Sequence, residues 1–395
     1  MRALCDALGR PQDRYRTLHV VGTNGKSSVT TMTAALLAAS GMRTGACISP
    51  HVWRWAERTR IDGAEVDPPA FAAAAEAVAA AIAAVEPGFE PGERITQFEA
   101  AIGISFVAFA RAEVDVAVIE AGLGGRLDAT NVIASTATAL TSVGLDHEEY
   151  LGPTELDIAR EKLAVLRPGT TLVTGELAPE VAALARSVAA ERDAELIVAP
   201  PLPEAALPGP MAPYLARNAA VAVALAGTVA PSLGEHGVAG ALAHAALPGR
   251  AELLAGEPPA IADAAHNEAG ARALAEARPA LAGGRPVFGC LSVLADKDAG
   301  AIAMALAPKL ARCVCTAADP GPAMGRPGSR ATDAEELARL VSTTGIAVEE
   351  VPDPAAAVAR TTALAAEHGG VALFAGSHYL LRYVWNARRA QNSSP

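Results

Sequence analysis

The chain has 395 residues, 51% of them apolar, and a formal net charge of −11 from 43 acidic and 32 basic side chains. That length suits two or three domains with large cores. The acidic balance excludes nucleic acid as the main partner but leaves room for anionic small molecules in local basic pockets. Apolar residues read as short runs rather than a span of about 20, and the first residues hold no signal-peptide core, so no membrane partner is expected. The five cysteines (Cys5, Cys47, Cys290, Cys313 and Cys315) include no C-x-x-C pair. Cys313 and Cys315 alternate along an apolar run, so they read as reduced, buried thiols, and the expected compartment is the cytoplasm.

In chain order, a strand over Arg16–Val21 ends in Gly22-Thr-Asn-Gly-Lys-Ser-Ser28, and an Ala-rich helix follows over Ser27–Ala39. Strand, Gly-rich turn, lysine, hydroxyls and helix start together make a phosphate cradle: backbone N–H groups face the anion and the lysine adds charge. The spacing is not that of the common P-loop, which would need glycine where Val20 stands. Helices are expected over Pro68–Val85, Thr96–Ala112 and Thr154–Val165, with buried strands over Val114–Ala121 and Thr138–Val143. The alternation continues from Thr171 to Leu225, interrupted by the proline-rich stretch Ala199–Pro213, which reads as irregular.

A second βα series starts near Leu247-Pro-Gly-Arg250, with strands expected over Ala260–Asp263, Val287–Leu291, Cys313–Thr316, Ala347–Val351 and Val371–Ala375. The fold class is therefore α/β, with mostly parallel sheets and domains at residues 1–246 and 247–395. The polar tail Gln391–Pro395 is expected to fray.

Polar clusters interrupt the apolar stretches at strand ends, where open α/β sheets bind ligands. They are Ser49-Pro-His51 with Glu57-Arg58, Thr96-Gln-Phe-Glu99, Glu120 with Gly122-Leu-Gly-Gly-Arg-Leu-Asp-Ala-Thr-Asn131, and Asp146-His147. Glu161-Lys162, Asp263-Ala-Ala-His-Asn267, Asp296-Lys-Asp298 and Gly376-Ser377 complete the set. Glu120, at a strand tip, is the best single Mg²⁺ ligand on chemical grounds, since Mg²⁺ takes oxygen donors and keeps several waters. On composition alone His147 reads as a helix-start residue bonded to Asp146, and Lys162 as a surface lysine pairing with Glu155 or Glu161.

Taken in order, the clusters resemble the folylpolyglutamate synthase/dihydrofolate synthase family of the Mur-ligase superfamily. Gly122–Asn131 is the most specific segment, supported by Gly22–Lys26, Leu145-Asp-His147, Ile158-Ala-Arg-Glu-Lys162, Leu247–Arg250 and Ala265-His-Asn267, over residues 17–385. The resemblance implies a P-loop domain with a smaller Rossmann-like C-terminal domain and a two-step ligation of L-glutamate to a folate carboxylate through an acyl phosphate. It implies ATP contacts at Thr23, Asn24, Gly25, Lys26, Ser27, Ser28, Asn218, Arg250 and Asp263, and Mg²⁺ at two sites. Ser49, Glu120 and His147 match the first metal's ligands, and Lys162, as the family's carbamylated lysine, the second's. Thr96, Gln97, Phe98 and Glu99 with Leu127, Asp128 and Ala129 match the pterin-binding segments. His266 and Ser377 match groups near the incoming glutamate, His266 as a catalytic residue beside Lys26 and Lys162.

Three departures stand out. Ser27 replaces a family glycine, the Ala199–Pro213 stretch is shorter than its family counterpart, and the chain starts after a segment that contacts dihydropteroate in the family. The last predicts weaker use of dihydropteroate than of tetrahydrofolate, and both substrates remain open. Another Mur-type ligase with a different carboxylate is the nearer alternative, and a P-loop switch ATPase the more distant one. A monomer acting on small molecules is expected.

Overall fold

The computed structural model describes residues 1–231, 233–320 and 329–392, so residues 393–395 of the polar tail lie outside it. Among the described residues the strands of the first sheet are β1 (Arg16–Val21), β2 (Thr44–Cys47), β3 (Thr59–Ile61), β4 (Ala64–Glu65), β5 (Val116–Glu120), β6 (Ala137–Leu140), β7 (Thr171–Thr174) and β8 (Glu195–Val198). They lie in the order β4-β3-β2-β5-β1-β6-β7-β8. The pairs run parallel except where β3 meets β2 and β4.

β1 is covered on both faces, which is why it reads as a continuous apolar run: Leu18, His19, Val20 and Val21 have no exposed surface. Its register sets Val20 beside Glu120 of β5 and Val21 beside Leu140 of β6. The loops leaving β1, β5 and β6 therefore emerge together at one carboxyl edge.

The second sheet holds β9 (Glu252–Leu254), β10 (Ala260–Ala262), β11 (Val287–Leu291), β12 (Arg312–Cys315), β13 (Val348–Glu350) and β14 (Val371–Ala375). Their order is β13-β12-β11-β14-β10-β9, parallel but for β9. Cys313 and Cys315 lie in its core with Leu291, Leu337 and Leu373, and all five cysteines are free and buried.

The structure refines two expectations and corrects two. Within the mostly parallel sheets the short strands β3, β4 and β9 run antiparallel; at two or three residues they are too brief for a period to show. The proline-rich stretch contains a 3₁₀ turn at Glu204–Ala206, and Pro213 opens the helix Pro213–Ala226, since a first-turn proline forfeits no hydrogen bond. The chain divides after Ala246 into two compact units, with the three residues Ala212–Tyr214 grouped with residues 247–395.

Fourth, the stretch Pro68–Gly88 has mean hydropathy 1.6 and is long and apolar enough, by length and composition, to cross a membrane. Alanine explains this: it scores as apolar yet packs little, and helix Pro68–Val85 buries only Ala74, Val78 and Ala81, against a cluster with Leu4 and Val107.

Phe109 anchors the face of the first sheet that carries Cys47 and Ile119. Its ring is fully buried, meets Tyr15 edge-on at 6.0 Å between centroids, and occupies the space a Gly45 side chain would need. Phe109→Ala should therefore cost about 3–5 kcal/mol of stability. Denaturant unfolding followed by circular dichroism checks this, and an unchanged midpoint would contradict the packing described.

Candidate functional site

The turn after β1 is pinned to the segment after β6. The Thr23 N–H donates to the Ser142 carbonyl at 2.9 Å, and the Asn24 N–H to Ser142 Oγ at 3.0 Å. Thr141 Oγ donates to the Asn24 carbonyl at 2.6 Å. Gly25 has φ +84°, and a Cβ there would sit 2.5 Å from Asn218 Oδ1, so only glycine fits the approach of Asn218 to the loop. Lys26 opens the helix Lys26–Ala39, and its Nζ donates to the carbonyls of Gly22 (2.9 Å) and Thr23 (3.0 Å). Lysine charge and the start of the helix thus share one spot. Ser28 is fully buried, and its Oγ has no hydrogen-bond partner.

Glu120 ends β5 with only 3% exposure. Its Oε1 accepts from Ser27 Oγ at 3.0 Å and its Oε2 from the Ser49 N–H at 3.1 Å, while Ser27 Oγ also lies 3.2 Å from the Ser49 carbonyl. The serine that departs from the family pattern therefore joins Glu120 to Ser49. The segment carrying Ser49 is braced by its own motif residues. The Glu57 carboxylate accepts from the N–H groups of Val52, Trp53 and Arg54, and Arg58 Nε donates to His51 Nδ1 at 2.8 Å.

Lys162 is 4% exposed, and Glu161 pairs with Arg126 at 2.8 Å instead, so the surface-lysine reading fails. Burial, then the nearby Lys26 charge, lowers the Lys162 pKa to about 7, with Asp146 and Asp128 acting in the opposite sense. His147 has φ +55° at the start of helix Glu148–Leu151, and its Nε2 stands 3.7 Å from Asp146 Oδ1. The helix-start reading of His147 thus describes its backbone. No group of three or more His, Cys, Asp or Glu side chains converges among the described residues. Glu120, with the Ser27 hydroxyl and the Ser49 backbone on its carboxylate, is an oxygen donor suited to a cation that retains water.

The loop Gly122–Asn131 is held from within. Asp128 Oδ2 accepts from the N–H groups of Gly122 (3.0 Å) and Leu123 (2.9 Å), and Oδ1 from the Thr130 N–H (2.9 Å) and hydroxyl. Arg167 Nη2 clamps the carbonyls of Asn131 and Ile133, each at 2.8 Å. Leu127 projects at 82% exposure, whereas Ala129 is buried. Thr96 and Glu99 form a capping box that starts helix Gln97–Arg111, and the Glu99 carboxylate also meets the Met1 amino group at 2.5 Å. Gln97 is exposed. The Phe98 ring lies against Gly122 where any Cβ would collide, so these two sequence-distant segments share one surface.

In the C-terminal unit Asp263 is buried, and burial raises its carboxyl pKa. It accepts from the Tyr214 hydroxyl, from the Ala251 N–H at 2.7 Å and from the Ala265 N–H at 2.8 Å. The Ala251 bond ties the Arg250 loop to the end of β10. His266 Nδ1 donates to the Ala264 carbonyl at 2.9 Å, and its ring lies 5.9 Å from that of His378. Burial, then Arg250, holds the His378 imidazole well below its ordinary range. Ser377 is 2% exposed, and its Oγ accepts the Tyr379 N–H at 3.1 Å.

Within the first unit the phosphate loop, Ser49, Glu120, Lys162 and His147 thus cluster at the carboxyl edge of the sheet beside the Gly122–Asn131 loop. Sequence reasoning missed Tyr214, Thr141, Ser142 and Arg167, none of which stands in a motif. For Tyr214 the only available signal was an aromatic residue just after a proline-rich run.

Residues 249–378 match the Mur ligase, glutamate ligase domain. The chain is 36% identical over 355 residues to dihydrofolate synthase/folylpolyglutamate synthase of Mycobacterium tuberculosis H37Rv, covering 80% of this chain and 72% of that protein. It superposes on the Mycobacterium tuberculosis folylpolyglutamate synthase complexed with ADP with a TM-score of 0.88 at 31% identity, over 100% of this chain and 94% of that one. A bifunctional folylpolyglutamate synthase/dihydrofolate synthase with Mn, AMPPNP and L-glutamate bound gives 0.80 at 28% identity, over 98% and 92%. Similarity of this extent over a shared Mur-ligase fold leads to one conclusion: the chain belongs to the folylpolyglutamate synthase/dihydrofolate synthase family.

Proposed function

We infer that the protein joins L-glutamate to a folate carboxylate at the expense of ATP. The observation that carries this reading is the gathering of Lys26, Ser27, Ser49, Glu120 and buried Lys162 at one sheet edge, beside a braced loop that faces Phe98. Relatives of the same fold bind ADP and, in one case, Mn with a nucleotide analogue and L-glutamate. ATP and a divalent metal are therefore the expected small-molecule complement, and the substrate is either a folate, dihydropteroate, or both.

In the first step a carboxylate oxygen attacks the γ-phosphorus, the bond to the β-phosphate oxygen breaks, and an acyl phosphate and ADP form. Lys26 swings from the Gly22 and Thr23 carbonyls to the β/γ-phosphates, and the first-turn N–H groups of its helix hold the same oxygens. Asn218, Arg250 and Asp263 serve the rest of the nucleotide, Asp263 by holding the Arg250 loop. Ser49, Glu120 and His147 would hold Mg²⁺, with Ser27 orienting Glu120, and the ion would neutralise phosphate charge. In the second step the glutamate amine attacks the acyl carbon and phosphate leaves. His266, its Nδ1 proton committed to Ala264, takes the amine proton on Nε2, and Ser377 lies on the glutamate side. Thr96–Glu99 and Leu127–Ala129 frame the pterin.

A buried amine whose pKa is lowered to about 7 is partly neutral and can add to CO₂. We assign Lys162 as that carbamylated residue: the amine nitrogen bonds to carbon, one electron pair moves to oxygen, a proton leaves, and an anionic oxygen donor for a second Mg²⁺ results. The free thiols fit a reducing, cytoplasmic compartment, and we propose that the protein acts there as a monomer.

Product mass spectrometry with ATP, L-glutamate and a panel of pteroates and folates tests the reading. ADP release should require folate and glutamate together; release without either would favour a switch ATPase. Lys26→Ala should lower kcat by roughly a hundredfold or more while the far-ultraviolet spectrum is unchanged. Lys162→Ala should be nearly inactive and partly rescued by acetate, which can supply the missing oxygens. Full activity in that variant would return Lys162 to a packing role.

A further inference from the structure

His19 lies in the middle of β1, between Ile119 and Thr138, with no exposed surface. Its Nε2 is 2.8 Å from Thr130 Oγ. Thr130 has one hydroxyl proton and gives it to Asp128 Oδ1, so Thr130 Oγ accepts from His19 Nε2–H. His19 is therefore the neutral Nε2–H tautomer, and its buried Nδ1, which has no partner, keeps a lone pair. The relay ends at Asp128, whose four acceptor positions are filled by the Gly122 N–H, the Leu123 N–H, the Thr130 N–H and the Thr130 hydroxyl.

We propose that His19 and Thr130 are positioning residues for the substrate loop, acting through Asp128, whose bonds shape that loop. The same four bonds set the course of Gly122 and Leu123, which meet Phe98, and hold Ala129 at the loop's turn. The central strand that leads into the phosphate loop thus also holds the pterin side of the site, through a second, buried route. This inference rests on the folate-ligase reading above.

Thr130→Val keeps the side-chain shape and removes the hydroxyl. It should raise KM for tetrahydrofolate about tenfold, the effect of losing a buried hydrogen bond to a charged group, while KM for MgATP stays unchanged. Thr130→Ser should restore the folate KM. His19→Phe should raise the folate KM from the other end of the relay, and combining it with Thr130→Val should add nothing further, because both cut one chain. The relay is overturned if the folate KM is unchanged in Thr130→Val, if both KM values rise together, if serine fails to restore it, or if the two changes add. Failure of the wild-type protein to form any glutamylated product would instead overturn the ligase reading.

Discussion

The parallel seating of β1 between β5 and β6 is the constraint on which the N-terminal site depends. Because Val20 registers with Glu120 and Val21 with Leu140, three loops leave the sheet at the same height and in the same direction. The phosphate turn, the Gly122–Asn131 loop and Thr141–Gly144 become neighbours without any contact designed for that purpose alone. The hydrogen bonds that lock Thr23 and Asn24 to Thr141 and Ser142 then fix the turn that leads into the start of the helix Lys26–Ala39.

Burying polar groups in such a site is costly unless each finds a partner, and this chain meets that cost in two ways. Asp128, with four donors, and Asp263, with three, are held by backbone N–H groups and hydroxyls, so they act as rigid joints. Lys162, close to Lys26, is instead pushed toward its neutral form. Ser27 adds a hydroxyl between Glu120 and Ser49.

The glycines of the two key loops follow from close approach. Gly25 makes way for Asn218 and Gly122 for Phe98, residues far away in the chain. Each contact joins a loop to a helix, so the loop shape depends on packing that local sequence cannot express.

Much of this was legible in the sequence. The apolar runs at Arg16–Val21 and Val371–Ala375, bounded by glycine, determined strands buried on both faces, and the order of motifs from Gly22 to Ser377 determined the family. Residue chemistry alone could propose Glu120 for magnesium, because a carboxylate at a strand tip is an oxygen donor wherever the strand sits. Only the tertiary structure decided that Lys162 is buried, that Tyr214 closes on Asp263 and that His19 reaches Thr130. Burial and long-range hydrogen bonds depend on which chain segments meet in space. A lysine near a helix end, a tyrosine after prolines and a histidine in an apolar strand look the same in sequence whether they meet solvent or a partner a hundred residues away.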